Sequence, residues 1–145
     1  MTSKREQVLN ALYTAVKSLE GANLKVYRNL DKPQPVPSAG LVVLRDGTGE
    51  EPEVLLSPLT YIYEHIVTLE AMIQNASSAA RDTALDALLV NIGAIINANR
   101  TLGGLAEWVE ARSPDFADEP IEGAASVRLA TVGIMIRFST IDPLN

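Results

Sequence analysis

Residues Thr60–Ile73 read TYIYEHIVTLEAMI, and their alternation decides the fold class. In an extended chain, successive side chains point to opposite faces. One face then carries Tyr61, Tyr63, His65, Val67, Leu69, Ala71 and Ile73, and the other carries Ile62, Glu64, Ile66, Thr68, Glu70 and Met72. The first face is almost wholly apolar and the second is mixed. Period two sustained over this length predicts one long strand, buried on one side. The closing stretch, Ala125–Thr140, repeats the pattern, with Ala130, Val132, Ile134, Ile136 and Phe138 on its core face.

The chain between these two strands predicts a helix. Asn75–Ala79 is punctuation in which Ser77 or Ser78 can cap. From Ala79 to Asn99 the apolar positions Leu85, Leu88, Leu89, Ile92, Ile95 and Ile96 follow helical spacing. The glycine pair in TLGGL, Thr101–Leu105, suits a left-handed stop. Residues 106–111 read as a short strand holding Trp108, expected in the core. SPDFADEPIEG, residues 113–123, reads as a loop.

Upstream, Ser3 and Glu6 form the S-x-x-E pattern of a capping box, and Val8, Leu12, Ala15, Val16 and Leu19 make one apolar stripe. A helix over residues 3–20 follows. Residues 24–29 read as a short strand, and Leu41–Leu44 as a buried one. Between them, Pro33, Pro35 and Pro37 at alternate positions forbid helix and central strand, so residues 31–38 form an extended arm or loop. Asp46–Gly47 is a hairpin signal, with Val54–Leu56 beginning the return. The expected fold is α+β: a mainly antiparallel sheet of about five to six strands with two helices packed on one face, in a single domain over 1–145.

The chain has 145 residues, 12 Lys+Arg against 18 Asp+Glu, a net charge of −6 and no cysteine. The last point excludes disulfides, thiolate metal sites and cysteine nucleophiles. No basic run is present to neutralise phosphates, which argues against sequence-specific nucleic-acid binding. The N-terminal segment lacks a signal core and no stretch is apolar enough to span a bilayer, so a soluble cytoplasmic product is expected, with no membrane partner.

Chemistry-bearing residues are sparse. His65, the one histidine, has no G-x-S-x-G elbow to serve; it reads as a hydrogen-bonded sheet residue. Gly47–Pro52 (GTGEEP) lacks the lysine of a phosphate loop. The acidic groups Asp46, Glu50, Glu51, Glu53 and Asp115, Asp118, Glu119, Glu122 lack the spacing of a calcium loop. Asn75-Ala-Ser77 and Asn99-Arg-Thr101 match glycosylation sequons, but such residues also suit helix ends. No nucleophile, base and oxyanion donors assemble, so no catalytic, cofactor or metal residues are assigned and an enzyme is not expected.

The element order resembles the tail terminator (tail completion) proteins of long-tailed bacteriophages and prophages. The likeness covers most of the chain. It runs through KREQVLNALYTAV, LKVYRNLDKPQPVPSAGLVVL, TYIYEHIVTLEAMIQ, DTALDALLVNIGAIINANRTLGGLAEWVE and SVRLATVGIMIRFSTID. The stretch through TLGGLAEWVE and the closing strand carry most of it. The resemblance implies an α+β subunit of a hexameric ring that caps the head-proximal end of the tail tube. Such a ring stops tube growth and docks the head connector.

Its partners would be further copies of itself, the tail tube protein and the head-completion or connector protein. DNA would pass through the lumen without sequence-specific binding, and an acidic wall suits that passage. The location would be the virion neck, after assembly in a bacterial cytoplasm, and no cofactor is implied. For contacts between subunits the projecting candidates are Asp31, Pro33, Pro35 and Pro37 of the arm and Asp46, Glu50, Glu51 and Glu53 of the acidic loop. Two alternatives stand beside this reading. One is another neck component, a connector or stopper. The other is a small-ligand or enzymatic domain, which would need a pocket near His65, Tyr61 and Tyr63.

Overall fold

A computed structural model describes residues 2–145. Its elements are α1 (Lys4–Lys17), β1 (Leu24–Arg28), β2 (Gly40–Arg45), β3 (Glu53–Leu56), β4 (Leu59–Gln74), α2 (Ser78–Ala98), a 3₁₀ turn at Leu102–Gly104, β5 (Trp108–Ala111), β6 (Asp115–Glu119) and β7 (Val127–Thr140). The two long alternating segments pair antiparallel from Tyr61 opposite Thr140 to Gln74 opposite Val127. Both core faces are those predicted: Tyr63, His65, Val67, Leu69, Ala71 and Ile73 are buried, as are Ala130, Val132, Ile134, Ile136 and Phe138.

Seven strand segments occupy five lanes. β2 and β3 both run antiparallel to β4, one after the other along the same side of it. The expected hairpin at Asp46–Gly47 is therefore corrected. Gly47 has φ +72°, and a Cβ there would clash with the carbonyl oxygen of Ile66. The chain swells against β4 instead of reversing, then turns back at Ser57–Pro58. β5 and β6 flank β7 in the same way, interrupted at Arg112–Pro114. The loop expected over residues 113–123 is thus also corrected, because β6 lies within it. Its five residues are all exposed, so no apolar alternation marks it; the backbone of β7 is what recruits it.

β1 pairs parallel with β2, the one parallel ladder among the described residues, because the proline segment crosses over between them. That segment is irregular and largely exposed. Residues 30–34 lie over the sheet's second face, lining a space with Leu41, Val43, Arg45 and Met72.

Both helices cover the first face. Val8, Leu12 and Val16 of α1 and Leu85, Leu88, Ile92 and Ile96 of α2 join the sheet residues in one core. Phe138 stacks on Tyr63 at 5.4 Å between ring centroids. Ser3 caps α1 by accepting the Glu6 amide, and Ser77 caps α2 through the Ala80 amide. The reciprocal half of the capping box does not form, because Arg28 takes the Glu6 carboxylate instead. α1 also stops at Lys17, short of the expected Glu20, where the Ser18 hydroxyl bonds the Ala15 carbonyl.

Candidate functional site

The acidic loop and the N-terminus of α1 meet at one end of the sheet. Arg28, near the end of β1, donates to both oxygens of Glu6 at 2.7 and 3.0 Å and to both oxygens of Asp46 at 2.9 and 3.0 Å. Glu6 is held below the ordinary carboxylate range chiefly by the Arg28 hydrogen bonds. Burial pushes Asp46 up, but hydrogen bonds from Arg28 and Asn29 outweigh it and leave it lowered. Arg28 is raised by the same two carboxylates.

Beside this network lies a cavity of about 660 Å³ between α1, the acidic loop, the start of β4 and the C-terminal residues. Arg5, Tyr61, Tyr63 and His65 line it. Arg5 sits 4.9 Å above the Tyr63 ring and donates to the Pro143 carbonyl. His65 is 3% exposed, its Nε2 bonded to the Asp46 carbonyl, which leaves Nδ1 without a partner. The Nε2 bond fixes that nitrogen as the donor. Ser3, the cap of α1, also lines the cavity, its hydroxyl oxygen accepting the Glu6 amide. Among the described residues no group of three or more His, Cys, Asp or Glu comes together as a metal cage.

The opposite character appears at β3. Val54, Leu55, Leu56 and Leu59 are exposed, Leu56 at 82%. On the second face, Glu50, Glu51, Glu53 and Glu64 line a shallow space around Arg137, the one cation there among the described residues. Arg137 binds Glu64 at 2.9 Å and Glu107 at 3.0 Å, and reaches Glu53 only at 4.0 Å. Five carboxylates and one guanidinium leave this corner strongly negative.

The eight residues singled out in the sequence divide. Glu50, Glu51 and Glu53 gather beside the exposed hairpin of β3 and β4. Asp46 is engaged internally by Arg28. Asp31, Pro33 and Pro35 are exposed and Pro37 is half-buried, on the far side of β2. Sequence reasoning missed the apolar hairpin tip itself; LLSPL within EVLLSPLTYIY was the available signal. Trp108, expected in the core, is 44% exposed, with Arg100 stacked 4.7 Å over its ring. Val109 is the buried residue of β5. Asn75 and Asn99, the sequon residues, accept the backbone amides of Ser77 and Gly103 at the helix ends.

No protein-family model matches the chain. No curated protein matches it in sequence. Among solved structures it is similar to a chain of the structure described as "Virion of native gene transfer agent (GTA) particle". The identity is 13% and the TM-score 0.45, over 90% of this chain and 93% of that one. No helix among the described residues is long and apolar enough to cross a membrane.

Proposed function

We propose that this chain is a structural protein of a phage-like virion, and within that class a tail terminator. In this role it forms a ring, six subunits in the resembled family, on the head-proximal end of the tail tube. The ring halts tube growth and presents a surface to the head connector. The observation that carries the reading is the exposed apolar hairpin at β3 and β4 beside a carboxylate cluster. A lone subunit has no use for leucines held in water on a sheet edge, and such an edge calls for a cover. The element order supports the same assignment.

The subunit contacts would involve the arm at Asp31–Pro37 and the acidic loop through Glu50, Glu51 and Glu53. A ring requires two different patches that fit one another. Deleting residues 32–37 is expected to weaken ring assembly; full assembly without them removes the arm from the interface.

The test is electron microscopy of lysates from a phage or prophage lacking this gene. Overlong tails without heads are the expected result. Tails of normal length that fail to join heads move the protein to the connector side of the neck. Intact infectious particles overturn the structural reading.

The cavity beside His65 favours a second reading, a small-ligand domain using Arg5 for an anion. Thermal-shift screening with small carboxylates and phosphates tests it. A hit abolished by Arg5→Ala would support it.

A further inference from the structure

The acidic loop between β2 and β3 has two fixed ends and a free middle. At one end Asp46 is held through all of its polar groups. Its amide donates to Asn29 Oδ1 at 3.0 Å, its carbonyl accepts from His65 Nε2, and its carboxylate takes Arg28. At the other end Glu53 enters the ladder opposite Ile62. Among the described residues no hydrogen bond joins residues 48–51 to any other part of the chain. Glu50 and Glu51 are exposed, and Gly47 and Gly49 precede them. A segment held by so little moves at small cost in free energy.

That loop stands between two guanidiniums. Glu50 and Glu51 line both the space around Arg137 and the cavity that holds Arg5. Arg137 is already bound by Glu64 and Glu107, with Glu53 at 4.0 Å. Arg28 is filled by Glu6 and Asp46. Arg5 makes no ion pair among the described residues. It has one long bond, 3.4 Å, to the Pro143 carbonyl, and its Nε is buried without a partner. Burying a donor unpaired costs free energy, and a carboxylate is the partner a guanidinium takes best. A further carboxylate at Arg137 is repelled by those in place, whereas at Arg5 it meets an unpaired cation.

We infer that residues 47–52 are a lid that folds into this cavity and sets the carboxylates of Glu50 and Glu51 on Arg5. Asp46 and Glu53 stay in place while the two glycines turn. Because Arg5 bonds Pro143, the loop tip at Gly49 comes against Pro143 and Leu144 on the opposite wall. The closed lid covers Tyr61 and Tyr63. It also takes the place at Arg5 that the small-ligand reading gives to an anion, so lid and anion exclude one another. Closure itself depends on neither functional reading.

Disulfide trapping tests the closure, and the chain has no cysteine of its own to confuse it. A Cβ at Gly49 meets open space, and Leu144 is 88% exposed, so both positions accept a cysteine. The Gly49→Cys/Leu144→Cys protein, dilute in a glutathione redox buffer, is expected to form an intramolecular disulfide, which needs the two Cβ atoms about 3.5–4.5 Å apart. Adding Glu50→Gln and Glu51→Gln should slow its formation about fivefold, the worth of one partly exposed ion pair. Arg5→Gln should slow it by the same factor. The two glutamates stand in water, so their variants carry the test even where Arg5→Gln disturbs the fold. No intramolecular disulfide in the parent pair overturns the lid. An equal rate without the two carboxylates overturns Arg5 as its seat. Faster trapping of Gly49→Cys against Ser139→Cys, opposite Ile62 on the second face, overturns the direction of closure.

Discussion

Arg28 shows how far one residue can depart from its local sequence signal. The S-x-x-E pattern predicted that Glu6 would turn back on its own helix, yet the fold brings a guanidinium 22 residues away within 2.7 Å of it. A charged fork satisfies two carboxylates better than one amide satisfies one. Arg28→Gln is expected to cost about 1–2 kcal/mol in chemical denaturation, since Arg28 is mostly buried while Glu6 stands half in water.

Both carboxyls titrate below their unfolded values, so their contribution is full at neutral pH and is lost as pH falls through the lowered folded values. The stability loss between about pH 5 and pH 2 should be shallower in Arg28→Gln than in the parent. Equal slopes would mean that other carboxyls carry the acid sensitivity. Gly47→Ala, at positive φ and against the Ile66 carbonyl, should cost about 1–3 kcal/mol. An unchanged denaturation midpoint would show that the loop can shift away.

At the scale of elements, the sheet is two interrupted hairpins joined through their long arms. β4 and β7 are buried on one face along most of their length, while β3 and β6 are exposed at every position. Opening free energy follows burial. Amides of Val67–Ala71 and Ala130–Ile136 should exchange with solvent only on near-global unfolding. Those of β3 and β6 should exchange orders of magnitude faster in the isolated protein. Slow exchange at β3 in dilute solution would mean that it is already covered, pointing to a stable oligomer before any tube is met. The long strands and α2 were legible because their apolar residues repeat at one period for many turns or pleats. β6 was not legible, since its five exposed residues carry no burial pattern and its pairing belongs to β7.

For the molecule as a whole, charge is the property that acts at a distance. A net charge of −6 with no basic run disfavours a hold on duplex DNA, which is what the proposed ring would need of its channel wall. The protein at micromolar concentration and low salt is expected to leave the mobility of duplex DNA unchanged. A retarded band would overturn the wall argument and point to the cations near β5.

Composition and periodicity alone settled the class: two long alternating strands, two amphipathic helices and the α+β layering that follows from covering one apolar sheet face. Those are short-range properties, because a strand or helix face is written in residues two to four apart. Tertiary structure alone decided three other things. It put β2 and β3 in one lane, ran β1 parallel, and turned Trp108 outward while Val109 went in. Each depends on which backbone or guanidinium comes to lie alongside, beyond the two-to-four-residue reach of a face pattern. The same holds for the hairpin leucines: their apolar character is visible in the sequence, but their exposure follows from the place of β3 at the sheet edge, paired only with β4.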